Sequence, residues 1–405
     1  MLASRDGERG GFMTTHLGWT GGQYSIYRVL LAWTTGGMLW DAFGTDLRDP
    51  LDATLLGVGW LACGALALGW RDRLAAGALL LLAVLTALGT GKDLGGLVAA
   101  FLLALHACVP PAPYGSWEAR ARPDPRGDWR MPWRVWHAAW VGLAGWYALA
   151  AWRISQAFVS SPRSPVDSDL GVMGLVTVGF VLLGGLLQIL VVAAAIHPPL
   201  RRPAWGSILL WQIAWSSATG WSVGWVASLP SLWLLHLLAA DPGWVPGRSW
   251  LVPAPTGPAP DRIPAPHPAR LFYDGDCGFC HRAIRFVLAE EGPSPSALRF
   301  RFAPLGSAAF ETLLEGNGQL PGSLPDSIVL ELEDGTLETR ATAVLEIASR
   351  LGGLWRVLSI LGRGLPRGAL DVAYDALARS RKRIFARPKE SCPILPPELR
   401  SRFDL

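Results

Sequence analysis

Seven apolar stretches follow one another over the first 240 residues, at roughly 24–43, 51–69, 74–91, 94–109, 134–152, 171–196 and 205–240. A helix needs about 20 apolar residues to cross the hydrocarbon core of a bilayer, within a range of about 17–25, and most of these stretches meet it. Stretches of that length in lipid satisfy their backbone internally, as helices. The pattern predicts an N-terminal tail over 1–23 and an α-helical, polytopic membrane domain of about seven spans over 24–250. The run 26–43 has no small-residue cleavage site after it and reads as a retained first span rather than a signal peptide.

Composition supports the division. Hydrophobic residues make up 51% and charged residues 17%, too apolar for an ordinary soluble chain. Twenty of the 21 tryptophans lie at or before Trp250, and the exception is Trp355. Tryptophan gathers at membrane–water interfaces because its ring is apolar while its N–H needs a polar partner. A membrane domain therefore precedes a soluble one. The net charge of +4 is mostly arginine, with no lysine-rich run or basic stripe, which excludes nucleic acid as a partner.

The loops test the count. With the N-terminus in the cytoplasm, inner segments carry Arg5 and Arg9, then Arg71 and Arg73, then Arg120, Arg122, Arg126, Arg130 and Arg134, then Arg201 and Arg202. Outer loops carry only Arg48, Lys92 and Arg163. This alternation follows the positive-inside rule over six crossings. The last stretch, 205–240, holds no charge over 36 positions and has "SSATGWSVGW" in its middle. That segment is small and polar enough to be a break: one crossing puts the C-terminal domain outside and two put it inside, and the reading favours one crossing plus an interfacial or re-entrant piece.

Polar residues near membrane depth are candidates for function: Arg28, Asp41, Lys92, Asp93, His106, His137, Gln188, Gln212 and His236. For most of them a loop position or hydrogen-bonded packing is the plainer reading. The segments "DLGGLVAAFLLALHACVPPAPYGSW" and "WRVWHAAWVGLAGWYALAAWRI" resemble the horizontally transferred transmembrane domain family, related to the membrane part of vitamin K-dependent gamma-carboxylase. That family favours a lysine after the Tyr147-containing helix. Here the residue is Arg153, which cannot shed its proton to act as a base, so carboxylase chemistry is not expected.

Residues 251–268 form a proline-rich linker, with seven prolines among the 17 residues 252–268, suited to an extended spacer. The soluble domain, 269–405, opens with "RLFYDGDCGFCHRAIRFVL". A short apolar strand at 271–273 is broken by "DGDCG", and 279–289 has helical spacing with Ile284, Val287 and Leu288 on one face. Cys277 thus stands at the mouth of a helix, where free N–H groups and the helix dipole stabilise a thiolate. Cys280, one turn on, shares its face. An exposed sulfur of this kind attacks a disulfide, and its neighbour resolves the mixed disulfide.

Three other readings compete. Zinc needs four ligands, and only Cys392, His267 and His281 are at hand, the last adjoining Cys280. Cys277-Gly-Phe-Cys280-His281 is formally a haem attachment motif, but no methionine follows Met173. An inert buried pair is the third. Of the remaining cysteines, Cys63 and Cys108 sit in apolar runs and read as small core residues.

Further along, "LRFRF" alternates as a half-buried strand, 308–314 reads as a short helix, and "PDSIVLELEDGTLETR" as a hairpin with an Asp334-Gly335 turn. An amphipathic helix over 341–351 follows. This order is that of an α/β thioredoxin-like fold, in which Pro325 stands where a substrate-facing cis-proline is expected.

"YDGDCGFC" matches the Asp-x-x-Cys-x-x-Cys core of the DCC family, domain of unknown function 393, described as thiol-disulfide oxidoreductases. Further resemblance runs through "PDSIVLELEDGTLETRATAVLEIASRLGG" and "AYDALARSRKRIFARPKESCPILPPELRSRF", covering about residues 269–403. It implies Asp274, Cys277 and Cys280 as the motif, with Tyr374, Arg379, Arg381, Arg387 and Cys392 in the C-terminal pattern. Ala386, Lys382 and Ile384 depart from it. Asp274 is a natural turn former, and its expected chemical role is to shuttle a proton to or from Cys280. Cys392 is either a third redox cysteine or a structural position.

The expected function is a membrane-anchored thiol-disulfide oxidoreductase with Cys277 attacking, Cys280 resolving and Pro325 binding substrate backbone. No cofactor beyond the dithiol is expected. Its partners would be a thiol or disulfide protein or small thiol, the lipid bilayer, and a candidate lipid-soluble electron carrier. The alternative is a membrane enzyme or transporter gated by the dithiol domain as a redox sensor.

Overall fold

The structure, a computed structural model, describes residues 18–44, 47–90, 94–127, 129–160, 171–218, 229–247, 268–292, 299–318, 327–384 and 396–404. The chain separates into two compact units. One is helical and comprises 21–121 and 129–240. The other comprises 241–405 with two short additions, 1–20 and 122–128.

The helical unit contains α1 (Gly21–Phe43), α2 (Pro50–Leu68), α3 (Asp72–Thr90), α4 (Leu94–Ala107), α5 (Trp133–Ser160), α6 (Gly171–Ile196), α7 (Arg201–Ala218) and α8 (Leu229–Ala239). From α1 to α7 neighbours in sequence pack against one another, and α8 lies against α1, α4 and α5. The first six apolar stretches correspond to α1–α6. Arg153, read as following the Tyr147 helix, falls inside α5. The uncharged stretch 205–240 is divided between α7 and α8, and 219–228 lies outside the described residues. At 1.5 Å per residue the 18 residues of α7 extend about 27 Å and the 11 of α8 about 17 Å.

Among the described residues, one helix, α2, is long and apolar enough to cross a membrane by length and composition. Shorter apolar helical segments run Gly95–Ala107, Val181–Ile196 and Pro230–Ala239. Only 22% of the apolar window of α2 is buried. Leu51, Val58 and Leu61 of α2, Leu74, Leu81 and Leu88 of α3, and Leu182, Leu186 and Ile189 of α6 are exposed.

The polar residues of this unit meet one another. The Tyr24 hydroxyl lies 2.7 Å from His106 Nδ1. Asp72 Oδ2 lies 3.7 Å from His106 Nε2 and 3.8 Å from Arg28 Nη1. Gly69, at φ +68°, closes α2 here, and a Cβ on it would come within 2.5 Å of Arg28 Nη1. The site is therefore filled by its own side chains. Likewise Tyr147 pairs with His236 at 2.8 Å, and Arg201 donates to His137 Nδ1 at 2.7 Å. Asp41 is exposed, and Lys92 and Asp93 lie outside the described residues. Cys63 is buried, but Cys108, just past α4, is exposed rather than part of the core.

The second unit is built on a four-stranded sheet in the order β2-β1-β3-β4. The strands are β1 (Arg270–Tyr273), β2 (Arg301–Pro304), β3 (Val329–Glu331) and β4 (Leu337–Thr339). β1 pairs parallel with β2 and antiparallel with β3, and β3 pairs antiparallel with β4. The helices are α9 (Gly278–Glu290), α10 (Ala308–Gly316), α11 (Arg340–Leu351), α12 (Gly353–Arg363), α13 (Arg367–Ile384) and α14 (Pro397–Arg400). Strand alternation sends side chains to two faces. Leu271, Tyr273, Phe302 and Leu330 meet Ile284, Val287 and Leu288 of α9 and Ala343, Ile347 and Leu351 of α11. Phe272, Ala303 and Val329 meet Leu313 and Phe310 of α10 on the other. In the hairpin, Gly335 takes φ +82° and the Thr336 N–H donates to Asp334 Oδ1 at 3.0 Å.

Two features depart from the sequence reading. β2 begins at Arg301, three residues later than "LRFRF", and the C-terminal tail extends the sheet beside it. The Phe302 N–H donates to Arg402 O at 3.0 Å, and the Asp404 N–H to Phe302 O at 2.8 Å. Phe403 stacks on Phe302 with ring centroids 5.1 Å apart, and Arg402 grips Glu291 with two hydrogen bonds of 2.7 Å.

Segments distant in sequence complete this unit. The Gly18 N–H donates to Asp241 Oδ1 at 2.7 Å. The buried Glu290 carboxylate accepts from the Thr20 hydroxyl and, at 2.7 Å, from Trp355 Nε1–H. Arg285 donates to the carbonyls of Arg122 and Pro123. The Gly353 N–H donates to Val245 O at 2.7 Å, and a Cβ on Gly247 would come within 2.2 Å of Arg350 O.

Candidate functional site

β1, the strand flanked on both sides in the core of the sheet, delivers the chain to the site. After Tyr273 it turns sharply. Asp274 Oδ1 accepts the Asp276 N–H at 2.9 Å, and Asp274 O accepts the Cys277 N–H at 3.2 Å. A short acidic side chain that bonds the backbone two residues on is the usual device for such a turn. Cys277 then caps α9 in an extended conformation, φ −109° and ψ 111°. Its Sγ accepts the Cys280 N–H at 3.4 Å, one of the donors a helix start leaves without an internal partner. Both cysteines are free thiols.

The sulfurs are less open than the sequence reading expects. Cys277 is 2% exposed and Cys280 8%, because both join the core cluster with Tyr273 and Ile284. Burial, the hydrogen bond with Cys277, and the negative charge of Cys277 and Asp274 push the Cys280 thiol up to about 12, while Arg381 opposes the rise. Cys280 therefore keeps its proton at neutral pH.

His281 is held on the turn. Its N–H donates to Cys277 O at 3.1 Å, its Nε2–H donates to Gly275 O at 3.0 Å, and its ring packs edge-on to Tyr273. The nitrogen a haem iron would take is thus engaged by backbone. Among the described residues no group of three or more His, Cys, Asp or Glu side chains is gathered to hold a metal.

α13 reaches the site from far along the chain. Arg381, 4% exposed, brings Nη2 to 3.6 Å from Asp274 Oδ2. One face of the same helix carries Tyr374, whose oxygen accepts the Ile328 N–H at 2.9 Å just before β3. Arg379 is exposed and bonds Asp375 O within its own helix. The structure thus brings together Cys277, Cys280, Asp274 and Arg381. The position of Arg381 beside the turn had no local sequence signal and was marked only by the family pattern. Pro325, Arg387, Cys392 and Ala386 lie outside the described residues, as do the side chains of Lys382 and Ile384.

A small mixed sheet, with Cys-x-x-Cys at the mouth of the helix that follows its first strand, fits a dithiol domain of thioredoxin-like fold. The DCC1-like thiol-disulfide oxidoreductase family matches residues 271–387. The uncharacterized protein YuxK of Bacillus subtilis (strain 168) is 32% identical over 133 residues, which cover 33% of this chain and 91% of that protein. No solved structure matches the chain. Through its C-terminal domain the chain belongs to the DCC1-like thiol-disulfide oxidoreductase family.

Proposed function

We propose that this protein is a membrane-anchored enzyme that exchanges disulfides with a protein or small-thiol partner through Cys277 and Cys280. The observation that carries the reading is the N-cap geometry. Cys277 Sγ accepts the Cys280 N–H at 3.4 Å, so attacking and resolving sulfurs share one helical turn. The Cys277 thiolate attacks one sulfur of a partner disulfide, and the other partner sulfur leaves as a thiolate. Cys280 gives its proton to Asp274 and attacks Cys277 Sγ. The Cys277–Cys280 bond closes and the remaining partner sulfur departs. The partner gains two electrons and the dithiol loses them; the reverse sequence oxidises a dithiol partner. Pro325 is assigned the contact with partner backbone, and the dithiol is the only redox group required.

Several of α1–α8 span the bilayer in this reading, which the exposed leucines of α2, α3 and α6 support. The buried core helix of a soluble protein would not leave most of α2 uncovered. The dithiol domain is assigned to the cytoplasmic side, in contrast to the outward side that a single crossing over 205–240 implies. Two contacts within the dithiol unit support this. Gly18, three residues before α1, bonds Asp241, two residues after α8. Arg285 bonds the arginine-rich segment between α4 and α5. Both belong to the arginine-rich side.

The test is trapping of the mixed disulfide with full-length protein in detergent. Cys280→Ser should accumulate a Cys277-linked adduct with a peptide disulfide, and Cys277→Ser should form none and lose turnover. Turnover retained by Cys277→Ser, or no exchange in any form, overturns the proposal.

A further inference from the structure

We propose that Arg381 is the positioning residue of the resolving step, holding the Asp274 carboxylate against the dithiol and stabilising the negative charge that develops on Cys280. The inference rests on the exchange reading above. Arg381 is almost wholly buried, and its guanidinium reaches Asp274 Oδ2 at 3.6 Å while Asp274 Oδ1 is held by the Asp276 N–H at 2.9 Å. The two carboxylate oxygens are thus engaged from different sides, one by the turn and one by α13. A charge buried at this depth is costly unless it meets an opposite one, so the arginine is poorly explained as filler.

The surroundings of Cys280 single out Arg381. Cys277 and Asp274 disfavour a Cys280 anion, as burial does, and Arg381 favours it. On α9 itself, His281 is tied to Gly275 O. From α11, Ala343 and Ile347 face this core, and Arg350 is bound to Glu333 and Glu346. β1 contributes Leu271 and Tyr273. Among the described residues, Arg381 is the cation that acts on the resolving sulfur. Cys280 must lose its proton before it can displace the partner, so a cation at this point lowers the barrier to that step rather than to the first attack.

The experiment separates the two steps in full-length protein with a chromogenic aromatic disulfide as the probe. The burst reports attack by Cys277, and release of the second thiolate reports resolution by Cys280. Arg381→Met should keep the burst within about twofold of wild type and slow resolution on the order of tenfold at neutral pH, since one unit of displacement changes the thiolate fraction about tenfold. Its resolution profile should move to higher pH. Arg381→Lys should recover part of the rate, because it restores the charge without the planar fork. If Arg381→Met does not fold, Arg381→Lys carries the test: it must resolve more slowly than wild type with an unchanged burst. Resolution and pH profile equal to wild type overturn the proposal, as does a parallel fall of burst and resolution with no rescue by lysine. Absence of the burst in wild type overturns the exchange reading instead.

Discussion

Cys277 and Cys280 stand three positions apart and meet different surroundings. Cys277 accepts a helix N–H, whereas Cys280 is pushed up to about 12, first by burial. A folded thiol that holds its proton more tightly than an unfolded one stabilises the fold below the ordinary thiol range. As pH rises from about 9 towards 12, the unfolded chain loses that proton first, so stability falls across this window. Replacing Cys280 by alanine should flatten the alkaline limb of a stability–pH curve measured by thermal denaturation; an identical limb in the variant contradicts the assignment. The dithiol and the Asp274 turn were legible in the sequence because they depend on neighbours one to three residues away. Arg381 was marked by the family pattern alone, and its approach to Asp274 had no local signal, since it depends on the path of α13, over a hundred residues downstream. The burial of Cys277 was equally hidden, being a product of packing against Tyr273 and Ile284.

Among the elements, the strand–helix alternation and the Asp334-Gly335 hairpin followed from local pattern, since period-two alternation and a glycine at φ +82° are properties of a few adjacent residues. The start of β2 did not. "LRFRF" alternates from residue 298, yet the strand begins at Arg301, where it pairs with Arg270 of β1 and the Arg402–Asp404 tail lies alongside. Partners over thirty and a hundred residues away set that boundary. The tail is a structural part of the sheet: Phe403 is 8% exposed and stacks on Phe302. Phe403→Ala should destabilise the dithiol unit by about 3 kcal/mol through lost burial and a residual cavity. Thermal denaturation of the full chain in detergent measures this, and a loss below roughly 1 kcal/mol would mean the tail does not pack.

For the whole molecule, hydropathy and tryptophan distribution announced a helical half and a separate dithiol half. The break in 205–240 was marked by "SSATGWSVGW", within which α7 ends at Ala218, and α8 begins at Leu229; the number of crossings was not legible, because no charge flanks the break. The cytoplasmic placement proposed above predicts that a membrane-impermeant maleimide applied to intact cells leaves Cys277 and Cys280 unmodified by peptide mapping, with modification following permeabilisation. Labelling of either in intact cells assigns the domain to the outside.

Thr20, Arg122 and Pro246 lie outside the segment 269–405, yet they bond its helices through Glu290, Arg285 and Arg356. A protein cut at the proline-rich linker and purified as its C-terminal piece would carry raw edges at Glu290 and Gly352. The redox properties of such a piece would belong to an altered object, and the native poise of the dithiol is a quantity defined by the uncut chain.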